Sequence, residues 1–113
     1  MTDETHDKWL ERNSVIDVKN KPKLTIAFDV DGTLITEDYR GPEPRYDIIH
    51  LYHWFERQGH KMYIWSGGGT DYAQRWAEKL GLGAEVIVKE KREGIDIAVD
   101  DCEANLAPTM IYV

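Results

Sequence analysis

The sequence predicts an α/β fold, a mostly parallel five-stranded sheet with helices on both faces. Two observations predict it. Short apolar runs, rich in β-branched and aromatic residues, alternate with two segments that repeat their apolar residues at helical spacing. The strand runs are also almost continuously apolar, which is typical of strands buried in a parallel sheet. Helices that connect successive parallel strands should form right-handed crossovers against such a sheet.

Five strands and two helices are predicted along the chain. The predicted strands are residues 23–30, 61–65, 84–88, 95–99 and 110–113. The first helix is predicted over residues 45–58, with Gly59 just past its end, and its apolar stripe is Ile48, Leu51, Tyr52 and Phe55. Thr70 should cap the second helix and Gly81 should end it. Its expected buried face is Tyr72, Ala73, Trp76, Ala77 and Leu80.

Length and composition indicate one domain with a short extension before it. The chain has 113 residues, of which 42% are hydrophobic and 31% charged, as expected for a globular domain. Residues 1–22 mix acids and bases with few apolar residues and are predicted to be an N-terminal extension. Residues 23–113 are predicted to form the folded core. The thin sheet edge predicted after residue 89 could be covered by this extension or by homo-oligomerisation.

Charge and cysteine content narrow the classes of function. There are 14 basic and 21 acidic residues, a formal charge of −7, which disfavours a general nucleic-acid binder without excluding a local basic groove. No apolar run reaches the ~20 residues that span a bilayer, and the N-terminus lacks a secretory signal pattern. We therefore expect no membrane partner and a cytoplasmic location. The single cysteine, Cys102, excludes an internal disulfide and is expected to be a buried small side chain.

Polar residues follow four of the predicted strands, where parallel sheets bind their ligands. They are Asp29, Asp31, Gly32 and Thr33; Ser66, Gly67 and Gly68; Lys89 and Lys91; and Asp100 and Asp101. Carboxylates that converge from two strands need a cation between them, and oxygen ligands favour Mg²⁺. A serine and exposed N–H groups before a helix suit a phosphate, although such a run can also be only a flexible loop. The lysines can likewise be a solvated charge run.

The segment DVDGTLI (29–35) resembles the first motif of the haloacid dehalogenase superfamily. The other motifs of that superfamily have similar counterparts in order: Ser66 after the second strand, Lys89 or Lys91, and the pair Asp100–Asp101. The resemblance covers residues 23–113. It implies a three-layer Rossmann-like fold and a Mg²⁺-dependent phosphatase that acts through an aspartyl-phosphate.

The resemblance also implies a role for each residue. Asp29 is the expected nucleophile and Asp31 the expected general acid and base. Gly32 and Thr33 shape the loop and are also expected, with Ser66, Gly67 and Gly68, to bind the phosphate, while a lysine offsets its charge. Which lysine does so, Lys89 or Lys91, stays open. The expected metal ligands are Asp29, Asp31 through its backbone carbonyl, and Asp100, with Asp101 in support.

The spacing of the motifs leaves no room for a cap domain. Only 35 residues separate Asp31 from Ser66, and 23 separate Ser66 from Lys89, which the predicted elements fill. Members of the superfamily without a cap have open sites, so a larger or exposed phosphorylated substrate is expected. Tyr39 and Arg40, in the loop after the first motif, could contact it.

Two alternative functions remain at this point. One is a 3′-phosphatase of nucleic-acid repair, which resembles the same motifs but is disfavoured by the charge of −7. The other is a binding or regulatory module that keeps the fold without turnover. The presence of all four motif types disfavours that module, because loss of catalysis would ordinarily remove one of the acids.

Overall fold

The computed structural model describes residues 23–113, so the extension predicted for residues 1–22 lies outside the described part. Five parallel strands form one sheet in the order β3-β2-β1-β4-β5. The strands are β1 (Thr25–Asp29), β2 (Lys61–Trp65), β3 (Glu85–Val86), β4 (Ile97–Asp100) and β5 (Thr109–Tyr112), and the helices are α1 (Tyr46–Arg57) and α2 (Thr70–Leu80). The predicted α/β class and parallel five-stranded sheet are therefore confirmed.

The strand boundaries differ from the prediction in ways that matter for the carboxylates. Strand β1 ends at Asp29 and β4 at Asp100, so both acids are the last residues of neighbouring central strands. Strand β3 has only two residues, Glu85 and Val86, instead of the predicted 84–88. No helix lies between Val86 and Ile97, as the short spacing predicted.

The helix boundaries lie within a residue or so of the prediction, with one error. The N-terminal cap of α2 is Gly69, so the prediction that Thr70 caps this helix is wrong: Thr70 is its first residue. Gly59 follows the end of α1 and Gly81 is the C-terminal cap of α2, as predicted. Neither helix of the described part is long and apolar enough to span a bilayer.

One face of the sheet carries the main core and both helices. Alternate residues of β1 and β2 point to this face and pack with the buried residues of α1 and α2. The ring of Phe28 contacts the rings of Tyr52 and Phe55 edge to face, with centroids 5.4 and 6.3 Å apart. Ala73 and Ala77 let α2 approach the sheet closely, and both are buried.

Both helices of the described residues lie on one face of the sheet, so the predicted helices on the opposite face are not seen among these residues. Ala27, Trp65 and Ala98 point to the opposite face and pack with Ile95 and Leu106, which lie in non-helical segments. The physical reason is topological. The chain crosses from β1 to β2 and from β2 to β3 in the same direction, so both right-handed crossovers put their helix on one face. The later connections, which run on the other side, are too short for a helix.

Candidate active site

Asp29, Asp100 and Lys89 meet at the carboxyl ends of β1 and β4. The register pairs Phe28 with Val99, so the two aspartates lie one residue beyond the last backbone pair of these strands. Lys89, from the segment after β3, places its Nζ 2.9 Å from Oδ1 of Asp29 and 2.9 Å from Oδ2 of Asp100. All three side chains are largely buried. This ammonium group is therefore shared between two carboxylates.

The burial of these charges shifts their proton affinities. Burial raises the pKa of Asp29 to about 6, in spite of the hydrogen bond from Lys89, which acts in the opposite direction. Burial lowers the pKa of Lys89, but the carboxylates of Asp100 and Asp29 outweigh it, so the pKa of the amine is raised. Lys89 thus stays charged. Asp29 is ionised at neutral pH and becomes protonated as the pH falls below about 6.

Lys91 does not join this cluster. Its side chain is exposed, and the described residues offer it no ion pair with Asp29 or Asp100. Lys89 comes from three residues beyond β3, close enough to β1 and β4 for its side chain to reach both strand ends. Of the two lysines that the sequence left open, the structure brings Lys89 to the carboxylates.

The loop after β1 is a tight turn over the strand end. The backbone N–H groups of Thr33, Leu34 and Ile35 all donate to the carbonyl of Val30. The buried hydroxyl of Thr33 lies 3.4 Å from Oδ2 of Asp29, a long hydrogen bond to the oxygen that does not contact Lys89. Thr33 therefore acts on the shape of the loop and on the orientation of the Asp29 carboxylate.

Gly32 occupies a place in this loop that no other residue type fits. Its φ is +77°, in the left-handed region, and a Cβ atom there would overlap the carboxylate of Asp101. Its carbonyl oxygen accepts a hydrogen bond of 2.7 Å from Nη1 of Arg45, the residue just before α1. The loop is thus packed between Asp101 on one side and Arg45 on the other. Sequence reasoning missed Arg45, which has no motif signal.

Ser66 follows β2 at the same edge of the sheet. Register pairs Trp65 with Asp29, so Ser66 lies one residue beyond the nucleophile candidate on the adjacent strand. Ser66 is buried, and its Oγ accepts a 3.0 Å hydrogen bond from the backbone N–H of Gly68. Since a hydroxyl also carries a donor, the Ser66 O–H remains able to donate to an anion. Gly67 and Gly68 are exposed just before α2.

Asp31 is held by a residue for which the sequence predicted only packing. The hydroxyl of Tyr72, on α2, donates a 2.5 Å hydrogen bond to Oδ1 of Asp31, although the two residues are 41 positions apart. Burial and this bond to a carboxylate raise the pKa of Tyr72, so its proton stays on the phenol. The hydroxyl of a half-buried tyrosine usually forms a hydrogen bond. The predicted position of Tyr72 on the buried face of α2 is therefore the one feature of the sequence that could have indicated this contact.

The acids at this edge are the candidate ligands of a metal ion. Oδ2 of Asp100 is fully buried and lies 2.9 Å from the ammonium nitrogen of Lys89. The ligand atoms that the described residues gather within 4.8 Å are those of Asp100, Asp101 and Cys102. The Asp29 carboxylate, which the sequence expected as a ligand, lies outside that group. Asp31 was expected to bind through its backbone carbonyl, which is not among the side-chain atoms that define the group. Oxygen donors on Asp29, Asp31, Asp100 and Asp101 nevertheless suit a hard cation such as Mg²⁺.

Cys102 is exposed, so the prediction that it is a buried small side chain is wrong. It follows Asp101 at the rim, where its backbone N–H donates 2.9 Å to Oδ1 of Asp100. The carboxylate of Asp101 raises the pKa of the Cys102 thiol, which keeps it protonated at neutral pH. A protonated thiol is a poor ligand and a poor nucleophile.

Comparison with known proteins finds no family model, no curated protein and no solved structure that matches this chain.

Proposed function

We propose that this protein is a Mg²⁺-dependent phosphohydrolase that acts through an aspartyl-phosphate, as its resemblance to the haloacid dehalogenase superfamily implies. The three-layer Rossmann-like arrangement of that superfamily is part of the proposal, with the described residues supplying the sheet and one helical layer. The observation that carries it is the shared contact of Lys89 with Asp29 and Asp100 at the ends of adjacent strands.

Charge balance supports a cation and an anion at this edge. Asp29, Asp31, Asp100 and Asp101 bring four carboxylates, and Lys89 is the cation among the described residues that forms an ion pair with two of them. A phosphate cannot approach four carboxylates unless their charge is offset. Mg²⁺ held by Asp29, the backbone carbonyl of Asp31 and Asp100 would supply that positive charge.

The residues divide the chemistry between them. Asp29 attacks phosphorus through a carboxylate oxygen while the bond from phosphorus to the leaving oxygen breaks, and Asp31 gives its proton to that oxygen. Asp31 then takes a proton from water, whose oxygen attacks phosphorus and releases Asp29 and inorganic phosphate. Ser66 donates to a phosphoryl oxygen and Lys89 offsets its charge. Tyr72 keeps the side chain of Asp31 directed toward the leaving oxygen.

The experiment is p-nitrophenyl phosphate hydrolysis by the full chain, with EDTA and with added Mg²⁺. We expect no turnover in EDTA and recovery with Mg²⁺. In the Asp31→Asn variant the intermediate should still form, because p-nitrophenolate needs no proton, but hydrolyse about 10²–10⁴-fold more slowly. Intact-mass spectrometry should then find one added phosphoryl group on Asp31→Asn and none on Asp29→Asn.

Two results would contradict the proposal. Full turnover without any divalent ion would remove the metal from the reaction. A phosphoryl group on Asp29→Asn, or on Ser66 or Cys102 of the unaltered chain, would show that the nucleophile is another residue.

A further inference from the structure

An open cavity of about 390 Å³ lies beside Asp31. Its lining includes three acidic residues, Asp31, Glu37 and Asp38, and two tyrosines, Tyr39 and Tyr72. The volume falls in the lower part of the range of roughly 300–1,000 Å³ that is typical of small-molecule sites. The loop after β1 forms one side of this cavity and α2 the other. It is therefore large enough for a small organic group.

Asp31 connects the cavity to the proposed reaction, on which this inference rests. Asp29, the proposed nucleophile, does not line the cavity, whereas Asp31, the proposed acid, does. In an in-line displacement the attacking and leaving oxygens lie on opposite sides of phosphorus. The leaving oxygen must also lie within reach of Asp31. The alcohol attached to that oxygen should therefore enter the cavity.

The charge of the wall decides which alcohol it suits. Besides the three carboxylates and two tyrosines, the described lining consists of the uncharged residues Thr36 and Pro42. The guanidinium of Arg40 lies 5.7 Å from the centre of the Tyr39 ring, and Arg40 is not part of the lining. Since like charges repel across a contact, this wall disfavours a leaving group with a carboxylate or a second phosphate.

The tyrosines add a preference for shape. Tyr39 is 87% exposed, an unusual position for a large aromatic side chain, and it is one of the residues that line the cavity. An aromatic face binds a flat ring by stacking and binds a cation through its quadrupole. We infer that this cavity receives the alcohol part of the substrate, and that it takes monophosphate esters of small ring-bearing alcohols that carry no negative charge.

The test compares three aryl monophosphates that differ in charge, with the full chain, Mg²⁺ and phosphate release as the readout. O-Phosphotyramine carries a cation, phenyl phosphate no further charge, and 4-carboxyphenyl phosphate an anion. We expect kcat/KM for the carboxylated ester to be at least about tenfold below that for phenyl phosphate, and O-phosphotyramine to equal or exceed phenyl phosphate. The difference should shrink as salt is raised.

Charge removal at the wall identifies the cause. The double variant Glu37→Gln, Asp38→Asn should reduce the discrimination against the carboxylated ester at least about threefold. Asparagine at position 38 keeps the oxygen that accepts the backbone N–H of Arg40, so the loop should hold its shape. The matched control, Glu78→Gln with Glu85→Gln, removes the same charge at exposed sites outside the cavity and should leave the discrimination unchanged.

The outcomes separate this inference from the proposed function. Mg²⁺-dependent hydrolysis at equal kcat/KM for all three esters, or discrimination that the double variant leaves intact, overturns the inference alone. Faster turnover of a 3′-phosphorylated oligonucleotide than of phenyl phosphate overturns it too. If neither these esters nor p-nitrophenyl phosphate is hydrolysed, the proposed function is wrong and the inference is wrong with it.

Discussion

The ammonium nitrogen of Lys89 lies 2.9 Å from Oδ1 of Asp29, and 60 sequence positions separate the two residues. The same nitrogen contacts Asp100, so one buried cation serves two buried carboxylates. Because two carboxylates are buried with one ammonium group, the cluster carries a net charge, and burying a net charge lowers the stability of the folded state. Catalytic sites often tolerate such a cost, because the arrangement that binds and activates a substrate is seldom the most stable one.

Replacement of Asp29 by asparagine should abolish turnover and stabilise the metal-free protein at neutral pH. Because burial raises the pKa of Asp29 from its ordinary value of 3.8 to about 6, the folded state holds its proton more tightly than the unfolded state. The stability of the unaltered protein should then fall as pH rises from about 4 to 6. The free energy of unfolding of Asp29→Asn should therefore exceed that of the unaltered protein by an amount that grows over this pH range to about 1–3 kcal/mol. Urea unfolding in EDTA measures it.

The matched control for this measurement is Glu93→Gln, which removes one carboxyl group at an exposed position between β3 and β4. It should change the free energy of unfolding by no more than about 0.5 kcal/mol at either end of the window. A destabilised Asp29→Asn variant at pH 7 would contradict the prediction.

Replacement of Lys89 by methionine should destabilise the protein by about 3–5 kcal/mol at neutral pH in EDTA, because it leaves Asp29 and Asp100 without a partner. Lys91→Met, at an exposed position, should change the free energy of unfolding by no more than about 0.5 kcal/mol. Both are measured by urea unfolding, and by turnover with Mg²⁺. Equal effects of the two substitutions would show that the shared contact contributes nothing specific.

Replacement of Gly32 by alanine should lower stability by at least about 1–2 kcal/mol, the cost of a left-handed φ for a residue with a Cβ. The methyl group would also overlap the Asp101 carboxylate. Gly41→Ala is the matched control, because a Cβ there meets nothing within 4 Å. The double variant Gly32→Ala, Asp101→Ala should regain the stability lost through overlap with the Asp101 carboxylate, but not the stability lost through the left-handed φ. A Gly32→Ala variant as stable as Gly41→Ala would refute this account.

Replacement of Tyr72 by phenylalanine should lower kcat/KM by about tenfold for phenyl phosphate, the value of a hydrogen bond to a charged group. The effect should be smaller for p-nitrophenyl phosphate, whose leaving group needs no proton. Steady-state kinetics on both substrates measures the difference, and KM should change less than kcat. Because Asp31 also activates water for both esters, the comparison is made in kcat/KM, which reports the steps up to departure of the leaving group. An equal loss of kcat/KM for both esters would show that the Tyr72 hydroxyl does not act through proton donation by Asp31.

Much of the fold follows from local patterns that can be read along the chain. The alternation of apolar strand runs with two helical stripes predicted the parallel sheet, the two helices and the ends of those helices within a residue or so. Local backbone geometry decides these features, since side-chain periods of two and of 3.6 residues distinguish strand from helix. The strand ends then located Asp29, Ser66, Lys89 and Asp100 at one edge.

Contacts between distant segments were decided only by the tertiary structure. The choice of Lys89 over Lys91 depends on which side chain reaches two strands at once, and the bond from Tyr72 to Asp31 depends on how α2 packs on the sheet. The position of both helices on one face depends on strand order, which local periodicity does not encode. Residues close together in the sequence determine where a helix or strand forms. The energy of a long-range contact depends instead on every segment that packs around it.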